Sequence, residues 1–72
     1  MSQSTRFEVV VNDETVEVGR GQTIAQLLDQ IDIHHRAIAV ELNFEIQPRD
    51  QFATTALQPG DRLEIVTLVG GG

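Results

Sequence analysis

The sequence predicts an α+β domain in which one helix lies on a mixed sheet of four to five strands. Several short stretches alternate apolar and polar residues with a period of two and are rich in β-branched side chains. A single stretch instead places apolar residues at i, i+3, i+4 and i+7, the spacing of one helix face. With 72 residues, the chain has room for one core and no more.

The first alternation runs from Phe7 to Val11, with Phe7, Val9 and Val11 on one side and Glu8 and Val10 on the other. Asn12-Asp13 tolerates the positive φ of a tight turn, and Thr15 to Val18 alternates again, so the two runs form a β-hairpin. Gly19-Arg20-Gly21 ends it. Thr23 then caps a helix, and Gln26, three residues on, completes a capping box. Ile24, Leu27, Leu28 and Ile31 form the buried stripe, and Gln26, Asp29 and Gln30 the wet face.

Ala37 to Leu42 is the third strand, with Ile38, Val40 and Leu42 opposed to Ala39 and Glu41. Glu45-Ile46-Gln47 is a short strand halted by Pro48, which suits an edge position. Between them stands Asn43-Phe44. A two-residue type I′ turn would force Phe44 to positive φ, so a different turn or a longer loop is expected here. Gln51 to Leu57 reads as a single helical turn with Phe52 and Leu57 plugging the core. Pro59-Gly60-Asp61 is a turn, and Arg62 to Val69 is the last strand.

The interval before that strand is too short for a second crossover helix, so one sheet must wrap one helix. That is the ubiquitin-like β-grasp arrangement, as a single domain over 1–72 with a frayed segment at 1–5 and a flexible glycine tail at 70–72.

Composition narrows the chemistry. Eleven acidic residues against five basic ones leave a net charge of -6, which repels phosphate backbones and anionic lipid. Neither nucleic acid nor membrane partners are expected; a protein with basic patches is. The start of the chain is polar and lacks the apolar run of a signal peptide, so a cytoplasmic protein is expected. Cysteine is absent, which removes disulfides, thiolate nucleophiles and Cys-based metal sites. All five basic residues are Arg, so the body carries no lysine amine either.

Catalytic groups are scarce. His34 and His35 are adjacent and without a third imidazole, so no metal is expected, since such sites need three or four converging ligands. Serine occurs only at Ser2 and Ser4, which leaves no hydrolase triad. The carboxylates are spread over loops and strand faces and read as solvated charges. The chain is therefore expected to be no enzyme itself, and to bind no cofactor.

The chemistry is expected instead at the end of the chain. Gly70, Gly71 and Gly72 follow the last strand directly, with no polar tail. Lacking Cβ atoms, they can thread a narrow channel and present an unhindered carboxylate about 10 Å beyond the domain. On the last strand, Leu63 and Ile65 should face the helix, which leaves Glu64, Val66 and Leu68 on the outer face. With Ala39 on the neighbouring strand, Val66 and Leu68 would form an apolar docking patch beside the tail.

The blocks Val11 to Glu14, Ala39 to Asn43, Glu45 to Arg49 and, most specifically, Pro59 to Gly72 resemble the thiamine-biosynthesis sulfur carriers of the ThiS family, within the wider ThiS/MoaD group. The resemblance covers Phe7 to Gly72. It implies that a ThiF-like adenylyltransferase uses ATP with magnesium to convert the Gly72 carboxylate into an acyl-adenylate. Sulfur from a cysteine-persulfide donor then leaves a thiocarboxylate, which a ThiG-like thiazole synthase consumes. Two departures stand out: Phe44 where the family often has glycine, and three terminal glycines where two define the motif. Competing readings are the small subunit of molybdopterin synthase, a ubiquitin-like protein modifier, and a plain interaction domain, because fold alone does not fix function.

Overall fold

The structure is a computed structural model that describes residues 5–33 and 38–68. Five strands form one mixed sheet: β1 (Arg6–Val11), β2 (Glu14–Gly19), β3 (Ile38–Leu42), β4 (Glu45–Gln47) and β5 (Arg62–Thr67), in the order β2-β1-β5-β3-β4. Only β1 and β5 run parallel; every other pairing is antiparallel. A single α-helix, α1 (Ile24–Gln30), crosses from the β1–β2 hairpin toward β3, and a 3₁₀ turn at Arg49–Gln51 precedes β5. The expected β-grasp is what forms. β4 lies at the sheet edge, and Pro48, which has no N–H to give a further strand, follows it.

The helix begins where its capping box is written. Thr23 accepts from the Gln26 N–H, and the Gln26 side chain accepts from the Thr23 N–H. The neighbouring orphan donors are satisfied from further along the chain: the Ile24 N–H donates to the Thr55 carbonyl and the Ala25 N–H to the Phe52 carbonyl. The segment after β4 thus has two tasks. It supplies acceptors for the start of the helix, and it drives Phe52 and Leu57 into the core, where both are buried. The expected helical turn sits slightly earlier, at 49–51, and both plugs are as the sequence requires.

Ile24, Leu27 and Leu28 from the helix meet Val9, Val11, Val18, Val40, Leu63 and Ile65 from the sheet in one apolar cluster. Ile31, the fourth residue of the predicted stripe, caps the helix and is half-buried against that cluster.

Two expectations need correction. β5 ends at Thr67 rather than Val69, because the last described pair of its ladder with β3 is Ile38 with Thr67. Asn43-Phe44 is a two-residue hairpin turn after all, with φ of 51° and 71°. Leu42 pairs directly with Glu45, which leaves just two residues to reverse the chain. That geometry demands left-handed backbone at both. Asn43 offsets the strain at Phe44 by bolting the turn to β5: its side chain accepts from the Arg62 N–H at 2.9 Å and donates to Asp61 at 3.0 Å.

Asp61 corrects the picture of uniformly solvated carboxylates. It is buried, and its second oxygen accepts from the Gln58 N–H at 2.7 Å, which closes the turn through Gly60. Its role is structural.

At the other side of β5, Asn12 repeats the theme. It turns away from the sheet at φ 49°, yet its side chain accepts from the Ile65 N–H at 2.8 Å and donates to the Ile65 carbonyl at 3.1 Å. The Asn12 side chain therefore imitates one more peptide unit of the parallel ladder. Replacing Asn12 by Ala removes both bonds and leaves a Cβ residue at positive φ. The expected loss is about 2–3 kcal/mol. Urea denaturation of the variant against the parent measures it, and Asn12→Asp, which keeps the acceptor, should lose less.

Candidate functional site

Alternation along β3 and β5 sorts the two faces of the sheet. Val40, Leu63 and Ile65 turn to the helix and are buried. The register pairs Ala39 with Val66 and Glu41 with Glu64, and Glu41 also with Ile46 of β4. Those five residues share the outer face. Leu68 follows β5, two positions past Val66, and both are about half exposed, at 51% and 52%. Ala39 is half-buried between them and the rest of the sheet. The predicted set of Ala39, Glu64, Val66 and Leu68 is thus brought together at the end of β5 from which the chain continues to its terminus.

The position of β5 has a mechanical consequence. It is the third of five strands, held by β1 on one side and β3 on the other. Asn12 and Asn43 add side-chain bonds to its backbone at Ile65 and Arg62. The Arg62 guanidinium also pairs with Asp13 in the β1–β2 turn. Thus β5 is held on both edges by backbone ladders and at two points by asparagine side chains. Gly70, Gly71 and Gly72, with Val69, lie outside the described residues, as do His34 and His35.

Sequence reasoning missed two further exposed apolar residues. Phe44 is 76% exposed at the β3–β4 turn, and Ile46 is 69% exposed on the edge strand. The alternation of Glu45, Ile46 and Gln47 carried a signal for Ile46, since an edge strand leaves one face uncovered. Phe44 had a signal only once the turn type was known.

A cleft of about 630 Å³ opens beside Phe7, Leu57, Pro59, Arg6 and Arg20. Among the described residues, its lining holds no carboxylate, hydroxyl or imidazole, and so no acid–base pair or nucleophile. Among the described residues, no group of three or more His, Cys, Asp or Glu side chains converges as a metal site. No helix of the described residues is long and apolar enough to cross a membrane. What the described residues do present is the partly apolar outer face of β3, β4 and β5.

Comparison with known proteins follows the same line. The family model for the ThiS family matches residues 4–72. The sulfur carrier protein ThiS of Escherichia coli is 32% identical over 66 residues, covering 92% of this chain and all of that one. A thiazole synthase of Paramagnetospirillum magneticum is 38% identical over 66 residues, a match to 92% of this chain but only 20% of the synthase. The chain therefore spans about one fifth of that relative's length. Among solved structures, the crystal structure of thiamine biosynthesis protein ThiS from Geobacter metallireducens superposes with a TM-score of 0.78 at 28% identity, over 92% of this chain and 100% of that one. Sequence match, fold and strand order agree, and the chain belongs to the ThiS family.

Proposed function

We propose that this chain is the sulfur carrier of thiazole formation in thiamine biosynthesis, a co-substrate acted on by partner enzymes rather than a catalyst. The observation that carries the reading is the family match, which runs through Gly72 and so includes the terminal glycines. In this reading the Gly72 carboxylate attacks the α-phosphate of ATP within an adenylyltransferase. Pyrophosphate leaves, and a carboxylate too poor to react with sulfur becomes a mixed anhydride. A persulfide sulfur then displaces AMP, and reduction of the resulting acyl disulfide by a thiol releases the thiocarboxylate.

The features of the chain suit this division of labour. Gly70 and Gly71 carry no side chains to obstruct a channel, and the body has neither lysine nor cysteine to intercept the activated acyl group. ATP and its magnesium belong to the partner. Support for the acceptor comes from the Paramagnetospirillum thiazole synthase, in which a stretch resembling this chain is part of the synthase polypeptide itself. The small subunit of molybdopterin synthase would share the carrier chemistry with a different acceptor. A cytoplasmic setting, where such partners and ATP reside, fits the reading.

Incubation with the adenylyltransferase, ATP and a sulfur donor, followed by intact mass, tests the proposal. Replacement of one oxygen by sulfur at Gly72 is expected. An unchanged mass, or conjugation to lysines of other proteins, would refute it. Deletion of Gly72 should leave the urea midpoint unchanged and abolish sulfur loading. Conversely, Val66→Ser with Leu68→Ser should shift stability by less than about 1 kcal/mol, because both sites are half exposed. The same variant should raise the carrier concentration needed for half-maximal adenylation, read as KM.

A further inference from the structure

The β3–β4 end of the sheet carries two features that cost the isolated domain stability. Phe44 holds φ at 71°, where a side chain is strained and glycine is not, and its ring is 76% exposed. Phe7 and Phe52, the other two phenylalanines, pack on or within the core. Beside this turn, Glu41 and Glu64 stand directly opposite each other on β3 and β5, on one face of the sheet. Like charges so placed repel. Ile46, 69% exposed, flanks Glu41 on its other side.

From this we infer that Phe44 and Ile46 enter an apolar pocket on the adenylyltransferase, and that a basic side chain at the rim of that pocket lies against Glu41 and Glu64. The inference rests on the carrier reading above. Charge selects the kind of occupant. A second copy of this chain would bring another net charge of -6 and a second pair of opposed glutamates, whereas a basic rim relieves the repulsion. Geometry explains the use of the contact. The register sets Arg62, at the start of β5, against the Asn43 turn, while the chain continues to its terminus from the opposite end. Arg62 to Thr67 separates the two by roughly 17 Å of extended strand. A partner that grips both ends fixes the direction in which the tail enters, which one contact at the tail base cannot do. The turn is ready for this, since Asn43 and Asp61 hold it in place before any partner arrives. The activating enzyme is the partner that meets the chain in its carboxylate form, so the contact is assigned to it.

The contact has an unusual signature: removing it should make the free domain more stable and the complex weaker. The experiment compares the full chain with Phe44→Gly, Phe44→Tyr and the pair Glu41→Gln, Glu64→Gln. Adenylation is followed by ATP–pyrophosphate exchange as a function of carrier concentration, and stability by urea denaturation. Phe44→Gly should raise KM by about tenfold or more, with a higher urea midpoint. The double glutamine variant should also raise both, and Phe44→Tyr should stay near the parent KM. A KM indifferent to Phe44→Gly would overturn the contact while leaving the carrier reading intact. So would a KM rise accompanied by a lower midpoint, which would make Phe44 a residue of the fold. Loss confined to sulfur donation to the thiazole synthase would overturn the assignment to the activating enzyme. No exchange with the parent chain would remove the carrier reading and this contact with it.

Discussion

Asn12 carries the parallel pairing of β1 and β5 beyond the point where the backbone turns away. The two strands share a short register, Val10 with Arg62 and Val11 with Leu63, before the β1–β2 turn begins. A parallel contact that short is a weak foundation for the central strand of a sheet. The Asn12 carboxamide then supplies an acceptor and a donor to Ile65, spaced as a peptide group would space them. Asn43 acts on the other side of the same strand, at Arg62. Both asparagines sit at positive φ, which their side chains tolerate better than most. The two hairpin turns therefore reverse the chain and also clamp β5.

That clamping gives the described body a well-held centre. The helix, Phe52 and Leu57 seal one face of the sheet, and β5 is fixed by backbone and side-chain bonds together. Leu68, the last described residue, lies past the end of that ladder and is half exposed. A 72-residue domain has little stability to spend on a pocket with strained or desolvated groups. In the carrier reading proposed above, a reactive group at the chain end, used in a partner's catalytic chamber, would avoid that cost. The outer face can then be shaped for recognition alone. Its acids and exposed apolar residues would suit a partner surface of the kind proposed above.

Sequence similarity and fold point to the same family, but they bear on different parts of the chain. Strand order and the helix cap would suit any β-grasp domain. The terminal glycines, the absence of lysine and cysteine, and the family match through residue 72 are what the proposed carrier chemistry rests on.

Local sequence alone determined the helix, its Thr23–Gln26 capping box, the core stripe, the edge strand before Pro48 and the outward placement of Val66 and Leu68. These depend on local spacing, which a sequence displays directly. Tertiary structure decided three matters that spacing cannot carry. Asn43-Phe44 takes the strained turn because Asn43 finds bonds on Arg62 and Asp61, some eighteen residues away. Asp61 is buried because its two oxygens have partners, one of them that same asparagine. Phe44 becomes an exposed aromatic instead of a core residue because the register of β3 with β4 leaves the turn no other length. In the first two cases the deciding bonds to Asn43 join residues distant in sequence, and their energy outweighs the local preference from which a prediction must start.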